Sequence, residues 1–348
     1  VIGGDGGLTK AGAGTLTLSG SITGGGSSAS FTKGGSGTFN FSGSAPWSGD
    51  MNVNAGTFNL TGGGSLSDVG VTTVAGTLNI NSTGTMQTAS LDILSGGAVN
   101  LDAGTLRVGG GGLGPTGRSI DNDSGSFNWG NGTLAVYTTG SGEAGLTDRT
   151  GAGGSPSGPA VKEGNYLSVA GSLNAPSGST LDLGTTYLSN GLRYNQLNVD
   201  GNLTLNDGTL NIGLSPYFLR PNTPDSVTVG DWGTMVLVYA EGNLSGTFAQ
   251  LGGKTVIPGI SNDGIGWTQL ADREYLGGPA FNPATLGMNE WLIEYLDGSD
   301  GNDFNFTQSP GAVVLLHYKV AGSVPEPASA GLLVAGALLL RALRRRKE

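Results

Sequence analysis

The chain has 348 residues, of which 67 are glycine and 14 proline; cysteine is absent, histidine occurs once and 12% of side chains are charged. Glycine at this level without a three-residue period excludes ordinary globular composition and collagen alike. An apolar content of 36% excludes a highly charged disordered chain, and so few charges cannot paint the polar faces of long amphipathic helices.

The formal net charge is −10, yet residues 1–340 carry 11 basic and 25 acidic side chains, because five basic residues crowd into the last eight positions. A body this acidic repels nucleic-acid phosphates, so no nucleic-acid partner is expected. The lack of cysteine removes disulfides, thiolate metal sites and cysteine nucleophiles together, and is compatible with export. Val1-Ile2-Gly3 opens with neither a methionine nor a basic-then-apolar leader, so any signal peptide is expected upstream.

From the start of the chain a unit recurs: AGAGTLTLSG from Ala11, GGSGTFNFSG from Gly34, VNAGTFNLTG from Val53, TVAGTLNINS from Thr73 and DAGTLRVGG from Asp102. Its threonines, Thr15, Thr38, Thr57, Thr77 and Thr105, are 23, 19, 20 and 28 residues apart. Such a period with variable insertions predicts a solenoid of stacked coils. Within each copy two apolar residues alternate with a polar one, as in Phe39-Asn40-Phe41 or Leu106-Arg107-Val108. Alternation predicts strands with the pair facing a core and Thr17, Asn40, Asn59, Asn79 and Arg107 facing water. Coils of roughly 22 residues over 1–320, at about 4.8 Å each, would give a rod about 70 Å long. A set of antiparallel hairpins is the competing design.

GGLTKAGAGTLTLSG, from Gly6, and FTKGGSGTFNFSG, from Phe31, resemble the autotransporter-associated β-strand repeat. The resemblance implies an all-β, elongated, right-handed parallel β-helix in exported bacterial surface proteins. The expected organisation is this repeat over 1–110, an irregular loop-rich coil or linker over 111–165, a second β-solenoid block over 166–320 and a separate tail over 321–348.

The second block alternates well through YNQLNVDGNLTLNDGTLNIGL, from Tyr194. Trp232, Trp267 and Trp291 are expected to close the end of the core; a carbohydrate-stacking platform is the alternative reading. His317 stands alone, which leaves no catalytic triad to argue and no histidine metal site. Asp182, Asp200 and Asp207 lie close in sequence, but two of them precede glycine and are explained by turn chemistry, so no catalytic residues are assigned. Asp297, Asp300 and Asp303 share a glycine-containing loop whose oxygens suit calcium, the one candidate metal site; a plain turn is the alternative, since the bidentate glutamate of an EF-hand is replaced by Gln308.

The composition changes at Val324. An apolar run from Ala328 to Leu343, broken only by Ser329 and Arg341, predicts one C-terminal hydrophobic helix of about 24 Å, a short membrane anchor. Arg341 can snorkel to the headgroups, and Arg344, Arg345, Arg346 and Lys347 mark a cytoplasmic end. Val324-Pro325-Glu326-Pro327-Ala328-Ser329, the apolar run and the basic end together resemble the PEP-CTERM sorting signal. That resemblance implies export, transient anchoring in the inner membrane and processing near Pro325–Pro327 by an exosortase-type enzyme, followed by release to the surface or extracellular matrix. The function expected is therefore a structural surface or matrix protein rather than an enzyme. The alternatives are an adhesin that binds extracellular polysaccharide and, third, a polysaccharide-degrading β-helix.

Overall fold

The computed structural model describes residues 2–3, 6–23, 29–109, 119–122, 125–137, 163–188, 191–213, 232–251, 268–269, 273–274, 285–287, 290–296 and 312–319. Among them the regular elements are strands, no α-helix occurs, and most strands join one large, mostly parallel sheet. This is consistent with a β-solenoid.

Each strand pairs with the strand one winding further along the chain, and three columns result. In the first, Leu8, Phe31, Met51, Thr72, Leu91, Ile120, Val169, Val199 and Ala240 lie in parallel register, one above another. In the second, Leu16, Phe39, Phe58, Leu78, Val99 and Phe127 do the same. The third runs Ala45, Leu66, Met86, Leu106, Leu134, Leu181, Leu210 and Leu251. A winding visits the three columns in turn, so every coil contributes a row of inward apolar side chains that only its neighbours can cover.

The core is continuous along the stack. Phe39, Phe41, Phe58, Leu60, Leu78, Ile80, Val99, Leu101, Leu106 and Leu134 are each buried. At the N-terminal end Phe31, Phe39 and Phe58 form a ring cluster with centroids 5.3 Å apart, and Trp47 meets Phe31 edge-on at 6.3 Å. Aromatic pairs in these geometries add roughly 0.5–1.5 kcal/mol to their burial. Leu16, by contrast, is 43% exposed, because among the described residues no strand lies beneath it in its column.

Glycine sets the corner that precedes the second column. Gly12, Gly35 and Gly56 all take positive φ, and a Cβ on Gly35 would meet Gly12 N at 2.6 Å. Stacked corners thus exclude side chains twice over, by conformation and by the approach of the corner below.

Two expectations change here. Thr105 is not the successor of Thr77: Ala98 pairs with Thr77, whereas Thr105 pairs with Thr85 in the next column. Gly-Thr marks two different corners of the winding, so aligning on it slips the repeat by one column. Arg107 consequently stacks on Gln87 and leaves the asparagine column to Asn100. The competing hairpin design fails over the described residues of 8–137, among which every pairing is parallel. Antiparallel pairing appears later: Thr185–Leu188 with Gly191–Tyr194, and Trp232–Ala240 with Ala312–Lys319, which in turn pairs with Glu290–Leu296.

Candidate functional site

The outward side of the second column carries one side chain per winding in register: Thr17, Asn40, Asn59, Asn79, Asn100 and Asn128. They form an unbroken hydrogen-bonded ladder. Asn40 Nδ2 donates to Thr17 Oγ1 at 3.4 Å, Asn59 Nδ2 to Asn40 Oδ1 at 2.8 Å, and Asn79 Nδ2 to Asn59 Oδ1 at 2.7 Å. Asn100 Nδ2 then donates to Asn79 Oδ1 at 2.6 Å, and Asn128 Nδ2 to Asn100 Oδ1 at 2.7 Å. Every donor points toward the N-terminal end, so the amide dipoles align along the stack. Each interior asparagine keeps one N–H and one lone pair free of the ladder, giving a row of neutral donors and acceptors at about 4.8 Å spacing.

Sequence reading found Thr17, Asn40, Asn59 and Asn79 as outward residues and missed Asn100 and Asn128. The signal was present: Val99-Asn100-Leu101 and Phe127-Asn128-Trp129 repeat the Phe39-Asn40-Phe41 pattern without its Gly-Thr preface. Apolar-Asn-apolar, rather than Gly-Thr, marks this column.

Lys33 was also missed. It is fully buried, in register with Lys10 below and Val53 above. Its position in Phe31-Thr32-Lys33 places it on the inward side with Phe31, and its stem packs where later windings hold valine. The ammonium donates to Gly35 O and Ala55 O at 2.8 Å and to Gly34 O at 3.2 Å, joining one corner to the next. Lys10 makes the same local contacts, to Ala11 O at 2.7 Å and Gly12 O at 3.3 Å. Burial, and then the charge of Lys10, hold the Lys33 pKa below its ordinary value. Three backbone carbonyls satisfy all three of its donors, so it acts as a corner clamp and leaves no free amine for chemistry.

On the first column Asp92 stacks beside Asp121. Burial, and then the Asp121 charge, raise the Asp92 pKa above the ordinary carboxylate value. Among the described residues no group of three or more histidine, aspartate or glutamate side chains is placed to hold a metal. A void of about 10 Å³ among Phe31, Phe39, Phe41, Trp47 and Phe58 is apolar and barely the size of one water, a packing gap rather than a ligand site.

Trp232 and Trp291 lie on the two strands that flank Ala312–Lys319, opposite Lys319 and Tyr318 respectively, so the backbone brings both to one end of the antiparallel closure. His317 sits on that central strand opposite Thr234 and Leu292. Asp182 is in register with Ala135 and Asn211 on the third column, while Asp200 and Asp207 stand at corners, the latter at a positive φ of 57°.

Trp267, the acidic loop Asp297, Asp300 and Asp303, and the whole tail with Val324, Pro325, Glu326, Pro327, Arg341, Arg344, Arg345, Arg346 and Lys347 lie outside the described residues. Among those that are described, no helix is long and apolar enough to cross a membrane. No protein-family model and no curated protein sequence matches this chain.

Proposed function

We propose that this protein is an exported bacterial surface or extracellular-matrix structural protein, built as an elongated right-handed parallel β-helix and sorted through its C-terminal PEP-CTERM tail. The observation that carries the reading is the asparagine ladder on a continuous parallel stack. It is a stiff, neutral, self-bonded face on an otherwise acidic chain, well suited to bearing load and display. The right-handed sense follows from the chirality of parallel crossovers. Eight steps from Leu8 to Ala240 at about 4.8 Å give a stack of roughly 40 Å; it is shorter than the sequence period suggests because later windings take longer excursions.

In this reading Pro325, Glu326 and Pro327 are acted upon by an exosortase-type enzyme, and Ala328 to Leu343 hold the chain in the inner membrane until then. Intact-mass measurement of the protein from envelope and medium fractions tests the sorting. Loss of the residues after about Pro327 in the released form supports it. A full tail in every fraction rejects it.

A further inference from the structure

We propose that the outward face of the second column binds an extended, uncharged β-1,4-linked polysaccharide laid along the stack axis. Such a site rests on the reading of the chain as an exported surface or matrix protein, and adds a ligand to it. Two successive windings show what the face is made of: Thr57, Asn59 and Thr61 stack in register under Thr77, Asn79 and Asn81, and all six are at least partly exposed. Thr38 and Asn40 continue the first two rows below, and Asn100 and Asn128 continue the asparagine row above. The residues between them, Phe58, Leu60, Leu78 and Ile80, are buried, so hydroxyls and amides face outward with no apolar patch among them.

Charge is the first feature that selects the ligand. Residues 1–340 carry 25 acidic side chains against 11 basic, yet none of these rows holds a charge between Thr38 and Asn81. The acidic surroundings repel an anionic polymer, and the face has no cation to hold one. An uncharged polymer meets neither obstacle.

Unused hydrogen-bonding capacity is the second. The Thr38, Thr57 and Thr77 hydroxyls make no hydrogen bond among the described residues. Each interior ladder amide spends one Nδ2 hydrogen and one Oδ1 lone pair on its neighbours and keeps one of each. A sugar hydroxyl is donor and acceptor at once, as these rows require. The ladder fixes the amides in advance, so a ligand need not order them.

Period is the third. The rows repeat at about 4.8 Å along the stack and stand about 6.6 Å apart across it. In an extended β-1,4-linked chain each pyranose advances by nearly the strand spacing and shows hydroxyls along both edges, so successive sugars meet successive windings. An α-1,4-linked chain coils and loses that match. The third column supplies an internal contrast: Thr85 and Thr105 also stack in register, but the outward row beside them holds Gln87 and Arg107, a charge and no asparagine ladder.

The test is calorimetric titration of the folded full-length chain, in a detergent without sugar headgroups, with cellobiose, cellotetraose and cellohexaose. Affinity should rise about tenfold from the shortest to the longest as added sugars reach further windings. It should not change with salt, because no ion pair forms. Maltohexaose and hexagalacturonate should not bind. Thr57→Val/Thr77→Val removes two hydroxyls while keeping side-chain shape and should weaken cellohexaose binding about tenfold. Thr57→Glu, which puts a charge on the face, should abolish it. Thr85→Val/Thr105→Val, the matching pair on the third column, should leave it unchanged. Unchanged circular dichroism verifies the fold of each variant. Absence of cellohexaose binding, equal binding of maltohexaose, or equal loss in the third-column pair overturns the proposal. None of these outcomes touches the sorting reading, which is decided by the mass of the tail.

Discussion

The windings between Phe31 and Gly109 and the strands between Trp232 and Lys319 solve opposite problems. The first region repeats itself: each coil finds the same apolar rows, the same ladder amide and the same corner above and below, and all pairing is parallel. The second brings in a strand of reversed direction, Ala312–Lys319, that pairs on both of its edges. A repeat stabilised by its neighbours has no internal means of ending, since its last coil exposes both backbone edge and core. Termination needs a segment that does not repeat. The difference teaches that stability in the first region is local and additive, whereas the closure acts as one unit.

Core truncations should break this contrast most forcefully. Phe39→Ala removes the centre of the aromatic cluster and should cost about 3–5 kcal/mol by chemical denaturation. Its loss of hydrogen-exchange protection should be concentrated in the adjoining windings, up to about residue 62. Ile293→Ala, fully buried in the closure, should cost about 2–5 kcal/mol and lower protection across all three antiparallel strands together. Protection lost evenly along the whole chain in Phe39→Ala would deny the local character of the repeat.

Lys33→Ala should come next, at about 1–2 kcal/mol, because three partly buried carbonyls lose their partner. Its titration gives an independent signature. With the folded pKa below the ordinary 10.5, the unfolded chain binds more protons in the window between the two values. Wild-type stability should therefore gain with rising pH across that window, and Lys33→Met should lack this component in pH-dependent melts.

Ladder substitutions are no larger. Asn79→Ala deletes one donated and one accepted bond and should cost about 1–2 kcal/mol, whereas Thr17→Val at the ladder's exposed end should cost less than about 0.5 kcal/mol. Equal effects at the two positions would mean that the amides do not act as a ladder.

The smallest effect is expected at Asp92. Asp92→Asn should raise stability by no more than about 0.5 kcal/mol at neutral pH, since burial and Asp121 disfavour the ionised form. Because the folded pKa is raised, protonation relieves the wild-type chain as pH falls toward 3.8, and the advantage of the variant should disappear there. A gain that persists in acid would refute the electrostatic cause.

Alternation made the strands and most of the core legible in the sequence: Phe39 with Phe41, Phe58 with Leu60 and Leu78 with Ile80 are buried pairs as the pattern requires. Column assignment was harder to read, because Gly-Thr serves two corners of the winding and identical chemistry at both hides which is which. Asn100 and Asn128 were lost to that ambiguity. Lys33 escaped notice for a different reason. Lysine is ordinarily a surface residue, and only three-dimensional proximity reveals that the corners supply carbonyls enough to satisfy its ammonium. The antiparallel closure has no period at all, so nothing in the repeat announced it.

The parallel, coil-upon-coil register can be tested directly because the chain contains no cysteine. Paired cysteines at positions 79 and 100 lie on directly opposed residues, within the separation a disulfide spans, whereas positions 79 and 107 belong to different columns. Mild oxidation of Asn79→Cys/Asn100→Cys should give a rapid intramolecular cross-link, seen as a mass loss of about two hydrogens, and Asn79→Cys/Arg107→Cys should stay reduced. Cross-linking of the second pair and not the first would contradict the stacking at its foundation.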